Sequence, residues 1–199
     1  IDEALEKSLR SLKTDYIDVY QLHWPNRGSY MFRQNWSYDP SGQDSAAVLD
    51  HMIETLQHLE KLREQGKVRH FGLSNESAWG TMRWLSIAAT HNLPRMVSIQ
   101  NEYSLLCRFF DLDMAEVAHH EQVGLLAFSP LAAGLLSGKY RGNTTPEGSR
   151  RTFAADLGKR ITERVWPAID AYITIAEKAG ISPAQLAISW ASKRPFMTS

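Results

Sequence analysis

The chain has 199 residues with 22 Lys+Arg against 22 Asp+Glu, a formal net charge of zero that argues against a generic polyanion binder. Hydrophobic residues make up 43%, and 6 Trp, 7 Tyr and 7 Phe exclude a disordered chain. Cys107 is the only cysteine, so no intrachain disulfide can form, and a reducing, cytoplasmic compartment is expected. No apolar run approaches the length of a membrane span, and the first residues lack a secretory-signal pattern.

Hydrophobic period predicts the elements in chain order. Ile1, Leu5, Leu9 and Leu12 repeat with helical spacing. Tyr16 to Leu22 is short and β-rich, so it reads as a strand. Met52, Leu56, Leu59 and Leu62 form the apolar stripe of a helix stopped at Gly66. Val68 to Leu73 is the next strand, Ser77 to His91 a helix, and Met96 to Gln100 a strand. Asp111 to Gln122 is a helix capped by Asp111, followed by a strand from Gly124 to Phe128. Helices are expected from Ile161 to Ala179 and from Pro183 to Ser192, the second capped by Ser182 with Pro183 at its first position. Phe196 onward reads as the start of a further strand.

Strand alternating with helix predicts parallel βαβ units, hence an α/β fold. Strand ends fall near His23, Ser74, Gln100 and Phe128. The long first step leaves room for an insertion between Asn26 and Ser45, rich in aromatics (Tyr30, Phe32, Trp36, Tyr38), which suits a lid or binding wall. Because no strand is followed by GxGxxG, a (β/α)8 TIM barrel is favoured over a doubly wound sheet. A barrel needs about 250 residues and eight strands, and the chain supplies four strands and the start of a fifth. With no cap before Ile1, this predicts a C-terminal-half fragment, one partial domain over 1–199 cut at both ends.

Polar residues at the C-terminal ends of strands are the candidate site, since both parallel folds bind ligands there. His23 can donate a hydrogen bond to a substrate oxygen or be structural. Ser74, Asn75 and Gln100 offer the donors and acceptors a planar carboxamide needs, or they cap helices. Phe128 to Tyr140 is small-residue rich, but its Gly138-Lys139 lacks the spacing and hydroxyl of a P-loop. Residues 139–160 hold six basic against two acidic residues, which suits a phosphate partner beside that loop. No HExxH occurs, and His51 and His58 stand two helical turns apart, so no metal site is expected.

The segments YIDVYQLHWP, GKVRHFGLSNES, IQNEYSLL and AFSPLAAGLLSGKY, in this order, resemble the aldo-keto reductases. The likeness is greatest to the bacterial Tas-type branch, which is similar to the β subunits of voltage-gated potassium channels. It extends over the whole chain, covering strands four to seven and the start of strand eight of a barrel. It implies NADPH-dependent reduction of aldehydes or ketones, a small-molecule carbonyl substrate, and neither nucleic-acid nor membrane partners. It places His23 as the residue orienting the carbonyl and Trp24 on the substrate pocket wall. It assigns Ser74, Asn75 and Gln100 to the nicotinamide carboxamide and Phe128 to the nicotinamide face. Ser129, Pro130, Leu131, Ala132, Gly134 and Lys139 match the pyrophosphate loop, and Arg150 matches an arginine that meets the adenosine 2′-phosphate. The family's Tyr, Lys and Asp sit on strands earlier than any in this chain, so the fragment itself is expected to be inactive. The alternatives are an NADPH-binding regulatory subunit, in whose channel branch Asn replaces the position of His23, and a non-functional truncated chain.

Overall fold

The computed structural model describes residues 1–199, which divide into two units. The first comprises 1–29 and 38–100, the second 30–37 and 101–199. Four parallel strands form one sheet in the order β1-β2-β3-β4: β1 Ile17–Leu22, β2 Val68–Ser74, β3 Met96–Glu102 and β4 Gly124–Phe128. The chain passes between the units inside β3, after Gln100.

The first unit contains α1 Asp2–Leu12, α2 Ser45–Glu64 and α3 Ala78–His91. The apolar stripe expected on α2, Met52, Leu56, Leu59 and Leu62, is buried, Val48 extends it by one turn, and the helix packs on β2 and α3. Removing a buried Leu side chain of this kind costs about 2–5 kcal/mol. Asp44 starts α2 by accepting from Ala46 N and Ala47 N, which satisfies donors the first turn leaves over. Ser77 is the cap of α3 and accepts from Gly80 N at 3.2 Å. The register between β2 and β3 slips at Phe71–Gly72. Gly72 belongs there because a Cβ would stand 2.5 Å from Ser98 Oγ.

The second unit contains α4 Asp113–Glu121, α5 Val165–Lys178 and α6 Pro183–Ser192. Its core joins Leu135, Leu136, Tyr140 and Leu157 to Val165, Ile169 and Ile173 of α5 and Ala187 of α6. Ser182 and Gln185 form a capping box at α6, as the Ser182-Pro183 pair predicts. The strand start at Phe196 is a parallel bridge between Met197 and Leu125, with Leu125 N donating to Phe196 O at 2.9 Å.

Two expectations are corrected. Asp111 does not cap α4, whose preceding residue Leu112 makes no side-chain cap bond. Asp111 instead closes a 3-10 turn, where Tyr103 OH, Arg108 Nε and Arg194 NH2 all donate to its carboxylate. Burial pushes the Asp111 carboxyl up, but those donors outweigh it and the net direction is down. The helix expected from Ile161 begins at Val165. The chain before it is held in turns, with Leu157 and Lys159 in the left-handed region and Arg160 NH1 bonded to Leu157 O at 2.7 Å. No helix is long and apolar enough to cross a membrane.

Candidate functional site

In the first unit, hydrogen bonds tie together the ends of β1, β2 and β3. Asn75 takes the left-handed conformation (φ 56°), which a short polar side chain tolerates, and turns the chain off β2. Its backbone N–H donates to Gln100 O at 3.0 Å. Its side-chain Nδ2 donates to His23 O at 3.0 Å and to Ser74 Oγ at 3.1 Å. The Ser74 hydroxyl donates onward to Gln100 O at 2.8 Å. Both amide protons of Asn75 are therefore committed, while its Oδ1 is buried with no partner. An unsatisfied buried acceptor costs about 1–3 kcal/mol unless a ligand donor reaches it. The His23 side chain is exposed, and its ring lies 5.6 Å from the Trp24 ring.

Behind this relay lies a buried ion pair that sequence reading missed. Arg27 and Glu76 are 5% and 3% exposed and joined by two bonds, NH1 to Oε2 at 3.0 Å and NH2 to Oε1 at 2.5 Å. Glu76 also accepts from Ser77 N at 2.7 Å and Trp84 Nε1 at 3.4 Å, and the Arg27 guanidinium sits 4.9 Å from the Trp79 ring centre. Glu76 follows Asn75 directly, and Arg27 lies four residues after His23, so the pair pins both loops carrying candidate residues. The sequence signal was faint: two charges 49 residues apart with no local pattern.

In the second unit, the loop after β4 holds a succession of left-handed residues: Ser129, Ala132, Ala133 and Gly134. Non-glycine residues in this region are strained and gather where a loop is shaped for function. Gly134 sits at φ 96°, where an L side chain is strained, and the Lys139 side chain folds back across it, its Cε 2.7 Å from where a Cβ would stand. Lys139 ends with its ammonium 5.1 Å from the Tyr140 ring centre, away from the clefts described below.

Phe128, Ser129 and Arg150 line one cleft of about 580 Å³, with Phe32, Arg33, Lys159 and Arg160. The Phe32 ring stacks on Phe128 with centroids 6.1 Å apart and planes 19° apart, an aromatic contact the insertion's composition hinted at without assigning. Ala132 lines a neighbouring cleft, whereas Pro130 and Leu131 line neither. Leu131 O instead accepts from Gly134 N and Leu136 N, which shapes the loop. Between the two clefts, Arg33 NH2 and Arg160 (Nε at 3.1 Å, NH2 at 2.9 Å) converge on one oxygen of buried Glu102. Burial depresses the Arg160 pKa, and the neighbouring Arg33 charge works in the same direction. Burial, then the Glu102 charge, push the Cys107 thiol up to about 11, so it stays protonated and poorly nucleophilic near neutrality.

Parallel strands with their polar ends gathered at one edge define a class of α/β proteins that bind ligands there. The aldo/keto reductase family model matches residues 1–199, and the chain belongs to that family of oxidoreductases. It is 42% identical to Protein tas of Escherichia coli K12 over all of this chain and 56% of that protein. It is 34% identical to an aldo-keto reductase of Babesia bovis, covering 99% of this chain and 72% of the other. It is 31% identical to a putative voltage-gated potassium channel subunit beta of Schizosaccharomyces pombe, over 100% of this chain and 53% of that one. Among solved structures, the glycerol dehydrogenase of Gluconobacter oxydans, a TIM barrel of the family, superposes with a TM-score of 0.71. That match has 26% identity and covers 98% of this chain and 52% of the other. The chain thus spans about half the length of most of these relatives.

Proposed function

We propose that the whole protein reduces an aldehyde or ketone to an alcohol with NADPH, and that this chain supplies much of the cofactor site and one substrate-orienting residue. The observation carrying the reading is the buried, unpartnered Asn75 Oδ1 at the junction of three strand ends. It is an acceptor that the N–H of a carboxamide can satisfy, beside the Ser74 hydroxyl and the Gln100 backbone carbonyl. The residues present fit the cofactor in the second unit too. Phe128 offers a ring for stacking, the Ser129–Gly134 backbone shapes a loop for a pyrophosphate, and Arg150 puts an exposed guanidinium in the cleft with Phe128. Phe32 now occupies a stacking position on Phe128, so a flat ligand there displaces it or takes the other face.

NADPH, when bound, supplies the hydride. The role of His23 is to hold the carbonyl oxygen through its exposed imidazole, whose backbone is fixed by Asn75. Protonation of that oxygen needs an acid. Burial raises the phenol pKa of Tyr20 and Tyr103, and the Tyr103 hydroxyl is committed to Asp111, so both are tuned the wrong way for a proton donor. Following the resemblance to the family, whose acid is a Tyr on an earlier strand, we assign the donor to a Tyr outside these 199 residues, within a single barrel domain to which they contribute.

The test is NADPH oxidation with an aldehyde panel, run on the whole protein and on this chain alone. The whole protein is expected to turn over and the chain is not; turnover by the isolated chain would remove the assignment of the acid. Arg150→Gln is expected to weaken NADPH binding roughly 10–100-fold, the worth of one charge-assisted bond, and to leave NADH binding unchanged. An equal loss for both nucleotides would contradict the 2′-phosphate role.

A further inference from the structure

The second cleft, of about 520 Å³, adjoins the first and carries an apolar wall and an arginine, Arg164, that the cofactor reading does not use. Four cations line it, Arg33, Lys159, Arg160 and Arg164, against the single carboxylate of Glu102. Glu102 is shared by Arg33 and Arg160, so one unit of positive charge in that knot is uncompensated. Lys159 and Arg164 are exposed and make no ion pair, which adds to the excess. Helix α5 begins at the same place. It has no side-chain cap bond and no acidic residue in its first turn, and the nearest carboxylate in sequence, Glu163, precedes its N-cap Arg164.

The remaining wall is apolar. Leu106, Phe109 and Ala168 line it, and Trp36 stands on it 95% exposed. Trp36 and the part-exposed Phe109 line the same cleft, and a contiguous apolar patch rimmed by charge marks a binding surface. The volume falls in the range of small-molecule sites. Arg33, Lys159 and Arg160 line both clefts, whereas Arg164, Trp36 and Phe109 line this one alone, so a ligand held by those three is separate from the one beside Arg150 and Phe128.

We propose that this cleft binds a small amphiphilic anion, a flat hydrocarbon body about one aromatic ring in size that carries a single carboxylate. The ring lies on Trp36 and Phe109, and the carboxylate meets Arg164 and the start of α5. Such an anion has two sources, the acidic end of the protein's own substrate or a separate effector, and the chemistry of recognition is the same for both.

Calorimetric titration of benzoate and benzamide, isosteres that differ in charge, decides the site without any turnover. Benzoate is expected to bind at least about tenfold more tightly than benzamide, with an affinity that falls as salt is raised. Arg164→Gln is expected to weaken benzoate roughly 3–10-fold and leave benzamide unchanged, and Trp36→Ala to weaken both. Both residues are exposed and line only this cleft, so neither change threatens the fold. Saturating NADPH is expected to weaken benzoate through Arg33, Lys159 and Arg160, which line both clefts, without displacing it one for one. Equal affinity for the two probes, no benzoate binding, or stoichiometric displacement by NADPH would each overturn the proposal. In the whole protein, a lower KM for para-formylbenzoate than for para-formylbenzamide, lost in Arg164→Gln, identifies the anion as a substrate's own end. Benzoate that binds without competing with a neutral aldehyde identifies an effector.

Discussion

Glu76→Ala is expected to lower the folding stability of this protein by about 3–5 kcal/mol, the cost of leaving a buried guanidinium without its carboxylate. Arg27 is 5% exposed and keeps its position over Trp79 in the variant, so water cannot readily replace Glu76. Ser77 N and Trp84 Nε1 lose their acceptor in the same step. Denaturant unfolding followed by circular dichroism measures the loss, and a change below about 1 kcal/mol would show that the pair is solvated in solution. A double-mutant cycle with Arg27→Met and Glu76→Gln is expected to give a combined loss smaller than the two single losses summed. Gly80→Ala is a companion test with a counterintuitive sign. Ala is favoured over Gly inside a helix by about 1 kcal/mol, yet here a Cβ would overlap both Glu76 Oε1 and Arg27 NH2. Destabilisation is the expected result.

His23→Ala in the whole protein is expected to reduce kcat by about 10²–10³-fold, the usual worth of one hydrogen-bond donor aimed at a reacting oxygen. NADPH affinity is expected to change little, because the contact that joins His23 to the carboxamide residues uses its backbone oxygen, which alanine keeps. Steady-state kinetics with a separate NADPH titration separates the two. A large loss of NADPH binding with kcat unchanged would assign His23 to the cofactor instead of the carbonyl.

The strand ends were legible because short apolar runs flanked by turn-forming polar residues recur along the chain, evenly after the long first step. β2 ends at Ser74 and β4 has the bounds its apolar run predicts, whereas β3 continues two residues past Gln100 to Glu102. Ser182-Pro183 marked the start of α6 because its signals are local. What could not be read depends on tertiary partners. Asp111 looks like a cap, but Arg108 of its own turn and the more distant Tyr103 and Arg194 claim its carboxylate. Ile161 continues the helical period into α5, yet Arg160 and its neighbours hold the chain in turns. Arg27 with Glu76, and Arg33 and Arg160 with Glu102, are long-range charge pairs whose members look like ordinary surface residues in sequence. The basic segment read as a phosphate patch also divides in the structure, since Arg150 enters the cleft beside Phe128 while Lys139 lies over Tyr140.

The most direct test of the central claim, that the strand-end relay around Asn75 receives a nicotinamide carboxamide, is a fluorescence titration of the whole protein with NADPH and NADH, repeated on Asn75→Ala. Saturable binding is expected, tighter for NADPH than for NADH. Asn75→Ala is expected to weaken both roughly tenfold or more while circular dichroism confirms the native fold. Failure of the folded wild-type protein to bind either nucleotide, or full affinity in a folded Asn75→Ala, would contradict the account.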